Sequence, residues 1–142
     1  MSSIRLLIVD DHAVYRRTLR RMCESRFGFL VVGEAANGKD AVELARTLSP
    51  DVILMDVEMP VMDGVEATRR IIAANPQARV IILTVHQRED YFAGATGAGA
   101  RGYLLKDIHW HELAEAVKLV HEGRVLIDHA LSSAGGSLRR AA

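Results

Sequence analysis

Five times along the chain a short run rich in Val, Ile and Leu gives way to a stretch of helical periodicity, and this alternation restricts the fold more than any other feature. The runs are IRLLIV (4–9), LVVGEA (30–35), DVILMD (51–56), RVIILT (79–84) and GYLL (102–105). Several are almost unbroken in apolar residues, as a strand must be when helices cover both of its faces. Helix-like segments lie between and after them at 13–26, 38–48, 64–75, roughly 88–98 and 109–122. Ala41, Val42, Leu44, Ala45 and Leu48 recur at helical spacing in the second, as do Val65, Thr68, Ile71 and Ile72 in the third. Asn37-Gly38 and Asn75-Pro76 fall where turns are required. Strand–helix repeats with right-handed crossovers predict an α/β fold, a doubly wound parallel sheet of five strands.

Two segments weaken the pattern. YFAGATGAGA (91–100) carries three glycines at 94, 97 and 99, each costing about 1 kcal/mol against Ala inside a helix, so the fourth helix is expected to be short or mobile. Beyond Ile127 the periodicity stops, and residues 128–142, ending in SSAGGSLRRAA, are expected to be a linker or flexible tail after a single domain over 1–127. The balance of 18 Lys plus Arg against 18 Asp plus Glu gives no global pull toward nucleic acid or a membrane. The lone cysteine, Cys23, excludes an intrachain disulfide framework. With no apolar run near the ~20 residues of a membrane span and no secretory profile at the start, a cytoplasmic location is expected.

The chemistry gathers at the strand ends. In an open parallel sheet, ligands bind beyond the carboxyl ends of the strands, where the strand order reverses. The first run ends in Asp10-Asp11 and the third in Asp56. Adjacent carboxylates repel by roughly 1 kcal/mol at 4 Å in water and roughly 4 kcal/mol at an effective dielectric of 20. If the two strands are neighbours, such a cluster calls for a hard cation, Mg²⁺ or Mn²⁺, held by oxygen. Thr84 ends the fourth run with a hydroxyl, and Lys106 follows the fifth with an ammonium group. Each of these residues alone is more simply a turn or cap residue. Together they make a phosphoryl-handling site, with charge neutralisation and hydrogen-bond donors converging on one edge.

IVDDH, EAANGKDAVELA, PDVILMDVEMPVMDG, VIILT and GARGYLLKD together resemble the two-component response-regulator receiver domain, over residues 4 to about 127. DDHAVYRR, EAANG and GYLLKD are similar to its NarL/LuxR branch, whose members usually carry a C-terminal helix-turn-helix. The resemblance implies a flavodoxin-like fold with strand order 2-1-3-4-5. It implies that Asp56 is the phosphoacceptor, taking a phosphoryl group from a sensor histidine kinase. Asp11, Asp56 and the backbone carbonyl of Glu58 would ligate Mg²⁺ directly, with Asp10 acting mainly through water. Lys106 would pair with Asp56 and then with the phosphoryl oxygens, Thr84 would donate its hydroxyl to the phosphoryl group, and the Tyr103 ring would turn inward as Thr84 moves. Glu58 and His86 stand where the family tunes dephosphorylation. Dimerisation on phosphorylation is implied, and DNA would be reached through an output domain that this sequence does not contain. The chain departs from the commonest pattern in Lys106-Asp107 where many receivers have Lys-Pro, in Thr96-Gly97 on the fourth helix, and in Val61 where small residues are frequent.

Other assignments fit less well. A haloacid-dehalogenase-like phosphatase typically has a second Asp two residues after the nucleophile, whereas Glu58 stands there, and it needs a cap that this chain lacks the residues to build. A flavin-binding module would want a Ser/Thr/Gly-rich phosphate loop in place of DDHAVYRR. A phosphorylation-independent docking module would not need the complete residue set. Arg16, Arg17, Arg20, Arg21 and Arg26 on the first helix read as a solvated face or, secondarily, a kinase-docking face. His109-Trp110-His111 reads as the entry to the fifth helix, and Cys23 as a small buried residue.

Overall fold

In the computed structural model, which describes residues 3–127, strands and helices alternate in the expected order. The strands are β1 (Arg5–Val9), β2 (Leu30–Ala35), β3 (Val52–Met55), β4 (Val80–Thr84) and β5 (Gly102–Leu105). The helices are α1 (Ala13–Arg21), α2 (Gly38–Leu48), α3 (Gly64–Ala74), α4 (Glu89–Ala98) and α5 (Trp110–His121). All pairings in the sheet are parallel and the order is β2-β1-β3-β4-β5, the doubly wound flavodoxin-like arrangement, with the reversal of winding between β1 and β3. The sequence expectation for residues 128–142 lies outside the described residues.

Alternate residues of each strand build two cores. Leu6, Ile8, Leu54, Ile81 and Leu104 face α1 and α5, where they meet Leu19, Leu113, Val117 and Val120. Leu7, Val9, Ile53, Met55, Ile82 and Tyr103 face α2, α3 and α4, where they meet Ala41, Ala67, Ile71 and Ala95. Both faces are buried, which explains why these strands read as unbroken apolar runs. Local chemistry starts the helices that matter most. The Asn37 side chain accepts from Asp40 N–H at 2.9 Å, and Asp63 accepts from Glu66 N–H at 2.8 Å, each satisfying an otherwise unpaired first-turn donor.

Three local features differ from the sequence pattern. The first helical segment is not uniform: α1 passes at Met22–Arg26 into a π-helical turn, which carries buried Cys23. The fourth helix forms over a full ten residues despite its glycines and ends at Gly99, whose φ is 97°. Gly94 serves packing there, since a Cβ on it would lie 3.2 Å from Val65 Cγ1 on α3. After α5 the chain turns back along the sheet, where Leu126 forms a parallel bridge to Gly102. Leu126 N–H donates to Arg101 O at 2.7 Å, and its carbonyl accepts from Tyr103 N–H at 3.2 Å. No helix among the described residues is long and apolar enough to cross a membrane.

Candidate functional site

The backbone ladder runs one residue past the strands and so fixes which side chains meet. Asp10 N–H donates to Ala35 O, Asp56 N–H to Val9 O and Lys106 N–H to Thr84 O, at 3.0, 3.0 and 2.8 Å. Asp10 and Asp56 are thereby held side by side at the carboxyl ends of β1 and β3, and Lys106, after β5, is held beside Thr84 at the end of β4. Lys106 Nζ lies 2.6 Å from Asp10 Oδ2 and 2.9 Å from Asp56 Oδ2. Asp10 and Asp56 are buried, whereas Asp11 is exposed at the rim.

Two buried carboxylates therefore face one ammonium group, with the third, Asp11, at the rim. Burial raises the Asp56 carboxyl pKa above its ordinary value, with neighbouring Asp10 adding to the rise while Lys106 and the Val57 N–H oppose it. That N–H reaches Asp56 Oδ1 at 2.7 Å, holding the carboxylate in one orientation. Tyr15 lies under the ammonium group, with its ring centroid 4.5 Å from Lys106 Nζ. Burial and the charges of Asp10 and Asp56 push the Tyr15 phenol well above its usual range.

The sequence-predicted Thr84 is fully buried at the end of β4 and its hydroxyl accepts from His86 N–H at 3.2 Å. Tyr103 is already inward: its ring is buried, its hydroxyl donates to His86 O at 2.9 Å, and Phe92 meets it edge-on at 5.4 Å. The Glu58 carboxylate and the His86 imidazole meet and link the β3–α3 loop to the β4–α4 loop, with Tyr91 edge-on to His86 at 5.5 Å. Val61, in the first of these loops, has φ of 71° and is exposed. Met62 N–H donates to Pro60 O at 2.8 Å across it. This is a three-residue γ-turn of the rare positive-φ kind, strained for a β-branched side chain. The Lys106–Asp107 bond is trans, since the described residues contain no cis peptide.

Sequence reasoning did not single out His12, Tyr15 or the role of Arg16 and Arg20. His12 Nδ1 lies 3.2 Å from Asp10 Oδ1, 3.3 Å from Asp11 Oδ1 and 4.0 Å from Asp56 Oδ2. Arg16 donates to the Asp10 carbonyl at 2.6 Å, and Arg16 and Arg20 both reach Glu34, at 2.9 and 2.6 Å. Two of the α1 arginines thus brace the site, while Arg17, Arg21 and Arg26 remain exposed. The available signal was spacing, because residues 12, 15, 16, 19 and 20 share one helical face. His109 and Trp110 do begin α5, and Trp110 stacks on Tyr15 at 6.3 Å.

Asp10, Asp11, His12 and Asp56 can each offer one ligand atom, all within 4.8 Å of one another. This donor set, dominated by carboxylates and short of compensating charge, fits a divalent cation.

Comparison with known proteins agrees with the geometry. The chain is 41% identical over 126 residues to the transcriptional regulatory protein DegU of Brevibacillus brevis, covering 89% of this chain and 53% of that protein. It is 43% identical over 121 residues to the response regulator UvrY of Escherichia coli K12, covering 85% of this chain and 56% of the relative. It therefore spans about half the length of these curated relatives. A LuxR-family two-component response regulator from Aurantimonas sp. SI85-9A1 superposes with a TM-score of 0.82 at 40% identity, over 87% of this chain and 89% of that one. The signal receiver domain of the response regulator NarL from Mycobacterium tuberculosis superposes with a TM-score of 0.83 at 33% identity, over 87% of this chain and 100% of that one. The response regulator receiver domain model matches residues 6–118, and with that match, the strand order and the relatives, the chain belongs to the response-regulator receiver family, in its NarL/LuxR-like branch.

Proposed function

We propose that this domain is a phosphorylation-driven switch in which Asp56 accepts a phosphoryl group from a phosphohistidine on a sensor kinase. The observation that carries this reading is the pair of contacts from Lys106 Nζ to Asp10 and Asp56 at the carboxyl edge of the sheet. In the transfer, an Asp56 carboxylate oxygen forms a bond to phosphorus while the phosphorus–nitrogen bond to the donor imidazole breaks, and the imidazole keeps the electron pair. Asp10, Asp11 and Asp56, with the Glu58 carbonyl, would hold Mg²⁺, or Mn²⁺ in its place. The cation supplies charge neutralisation to the phosphoryl oxygens.

Lys106 is placed to follow the charge as it moves onto the phosphoryl group, losing no partner because Asp10 stays within reach. Thr84 would exchange the His86 N–H for a phosphoryl oxygen, now acting as donor. Tyr103 would report that exchange through the His86 carbonyl to which its hydroxyl is bonded. The Glu58–His86 pair borders the route of an attacking water and would set how long the acyl phosphate survives. The domain would catalyse only its own phosphorylation and dephosphorylation. In a longer protein of this branch, located in the cytoplasm, the switch would regulate transcription through a DNA-binding domain, with pairing of receivers on phosphorylation.

The test is intact mass after incubation with a small-molecule phosphodonor and Mg²⁺, comparing the parent with Asp56→Asn. The expected result is one phosphoryl group on the parent, dependent on metal and absent from the variant. No addition, under conditions that label a control receiver, would overturn the acceptor assignment and leave a docking module.

A further inference from the structure

His12 occupies an unusual place among the acidic groups. Its backbone is pinned on both sides: its N–H donates to Asp10 Oδ1 at 2.8 Å, and its carbonyl accepts from Arg16 N–H at 2.9 Å as α1 begins. The side chain is two-thirds exposed, at 66%, and Nδ1 turns toward the carboxylates. Its separations from Asp10, Asp11 and Asp56 oxygens are 3.2, 3.3 and 4.0 Å. An octahedral ion with bonds of about 2.1 Å places adjacent ligands about 3.0 Å apart and opposed ligands about 4.2 Å apart. Nδ1 therefore stands close to an adjacent position relative to Asp10 and Asp11 and to the opposed position relative to Asp56. The other Asp10 oxygen is taken by Lys106 at 2.6 Å, which leaves Oδ1 on the His12 side.

Resting on the divalent-cation reading given above, we propose that His12 Nδ1 is a ligand of the bound cation and biases this site from Mg²⁺ toward borderline divalent ions. Mg²⁺ holds oxygen and gives up water reluctantly, so a neighbouring imidazole adds little to its binding. Ions such as Co²⁺ gain from exchanging an oxygen for an imidazole nitrogen, in line with their position above Mn²⁺ in the affinity series. With Nδ1 4.0 Å from Asp56 Oδ2, across the ion from it, an ion that keeps the ring bound would have one position fewer to offer the phosphoryl oxygens, and the choice of metal would alter the rate of phosphorylation.

The experiment is calorimetric titration of the full chain with Mg²⁺ and, separately, with Co²⁺, for the parent, His12→Ala and His12→Gln. The chain has five other histidines, at 86, 109, 111, 121 and 129, so proton spectra of the Co²⁺-loaded forms are recorded alongside. The expected result is a Co²⁺ affinity at least tenfold lower in both variants with Mg²⁺ affinity changed less than twofold. Hyperfine-shifted imidazole signals in the parent should disappear on substitution. An unchanged Co²⁺ affinity, or an equal loss for both ions, would overturn the assignment and make His12 only a charge neighbour of the carboxylates. Binding of neither ion by the parent would overturn both this inference and the cation reading beneath it. Mg²⁺ binding that survives Asp56→Asn undiminished would place the ion away from this edge and overturn the cation reading, and this inference with it.

Discussion

At the acceptor, burial and charge pull against each other, and the conflict is measurable. Burial raises the folded-state pKa of Asp56 above that of the unfolded chain. The folded protein then holds this proton more tightly, so stability falls as pH rises from the unfolded value through the folded one, and stays lower above it. Asp56→Asn removes the buried charge. In metal-free solution the variant is expected to match the parent at low pH and to exceed it at neutral pH, by about 1.4 kcal/mol for each unit separating the two pKa values. Denaturant melts at several pH values check this, and a variant no more stable than the parent at neutral pH would contradict it. Val61 stores strain of a different kind. Its positive φ costs on the order of 1–3 kcal/mol for a non-glycine residue, and its exposed side chain makes little return. Val61→Gly is expected to stabilise the protein by about 1 kcal/mol after allowing for the extra freedom of glycine in the unfolded chain, as read by thermal unfolding. At this scale the sequence displayed Asp10, Asp11, Asp56, Thr84 and Lys106 openly, because each ends or follows an apolar run. It did not display the strain at Val61 or the inward turn of His12, which depend on loop backbone that no periodicity describes.

Among the elements, the two glycines that look alike in sequence have opposite structural meanings. A Cβ on Gly64, the first residue of α3, would fall 1.8 Å from the Asp56 carbonyl oxygen and 2.8 Å from its carbon. Both are backbone atoms, so α3 can approach the acceptor only through a residue with no side chain. Gly64→Ala is expected to destabilise the fold by about 3 kcal/mol or more, or to displace Asp56 and lower its phosphorylation sharply. A Cβ on Gly97, near the end of α4, meets nothing within 4 Å. Gly97→Ala is expected to stabilise α4 by about 0.5–1 kcal/mol and to slow its amide hydrogen exchange. Exchange measured residue by residue on both variants separates the two cases, and a neutral Gly64→Ala would refute the close-approach argument. Composition alone made the glycines of α4 look like weakness. Gly94 instead admits Val65 between the helices, a reason that lies in another element and leaves no local trace. Likewise the π-helical turn at Met22–Arg26 left no mark in a segment whose apolar spacing continues unbroken.

For the molecule as a whole, the two cores share one sheet, so a ligand at its edge should stabilise both. The strand order was legible only through the family resemblance, since alternation predicts a parallel sheet without saying which strands adjoin. Once β1 and β3 are adjacent, the carboxylates converge and carry a cost that a bound cation relieves. Mg²⁺ at 100 times its dissociation constant is expected to add about 2.7 kcal/mol to the unfolding free energy. The gain should shrink in Asp11→Asn and Asp56→Asn and appear in probes of both cores at once. Calorimetric unfolding across a Mg²⁺ series tests this, and an unchanged melting temperature would count against a cation at this edge. The bridge made by Leu126 has a mechanical consequence. Its hydrogen bonds to Arg101 O and Tyr103 N–H fasten the segment after α5 to the same strand that carries the buried tyrosine ring. A lever is governed by its fulcrum, and here the fulcrum is Tyr103's own backbone. Any shift of β5 is delivered directly to Leu126, before a single contact on the outer surface has changed.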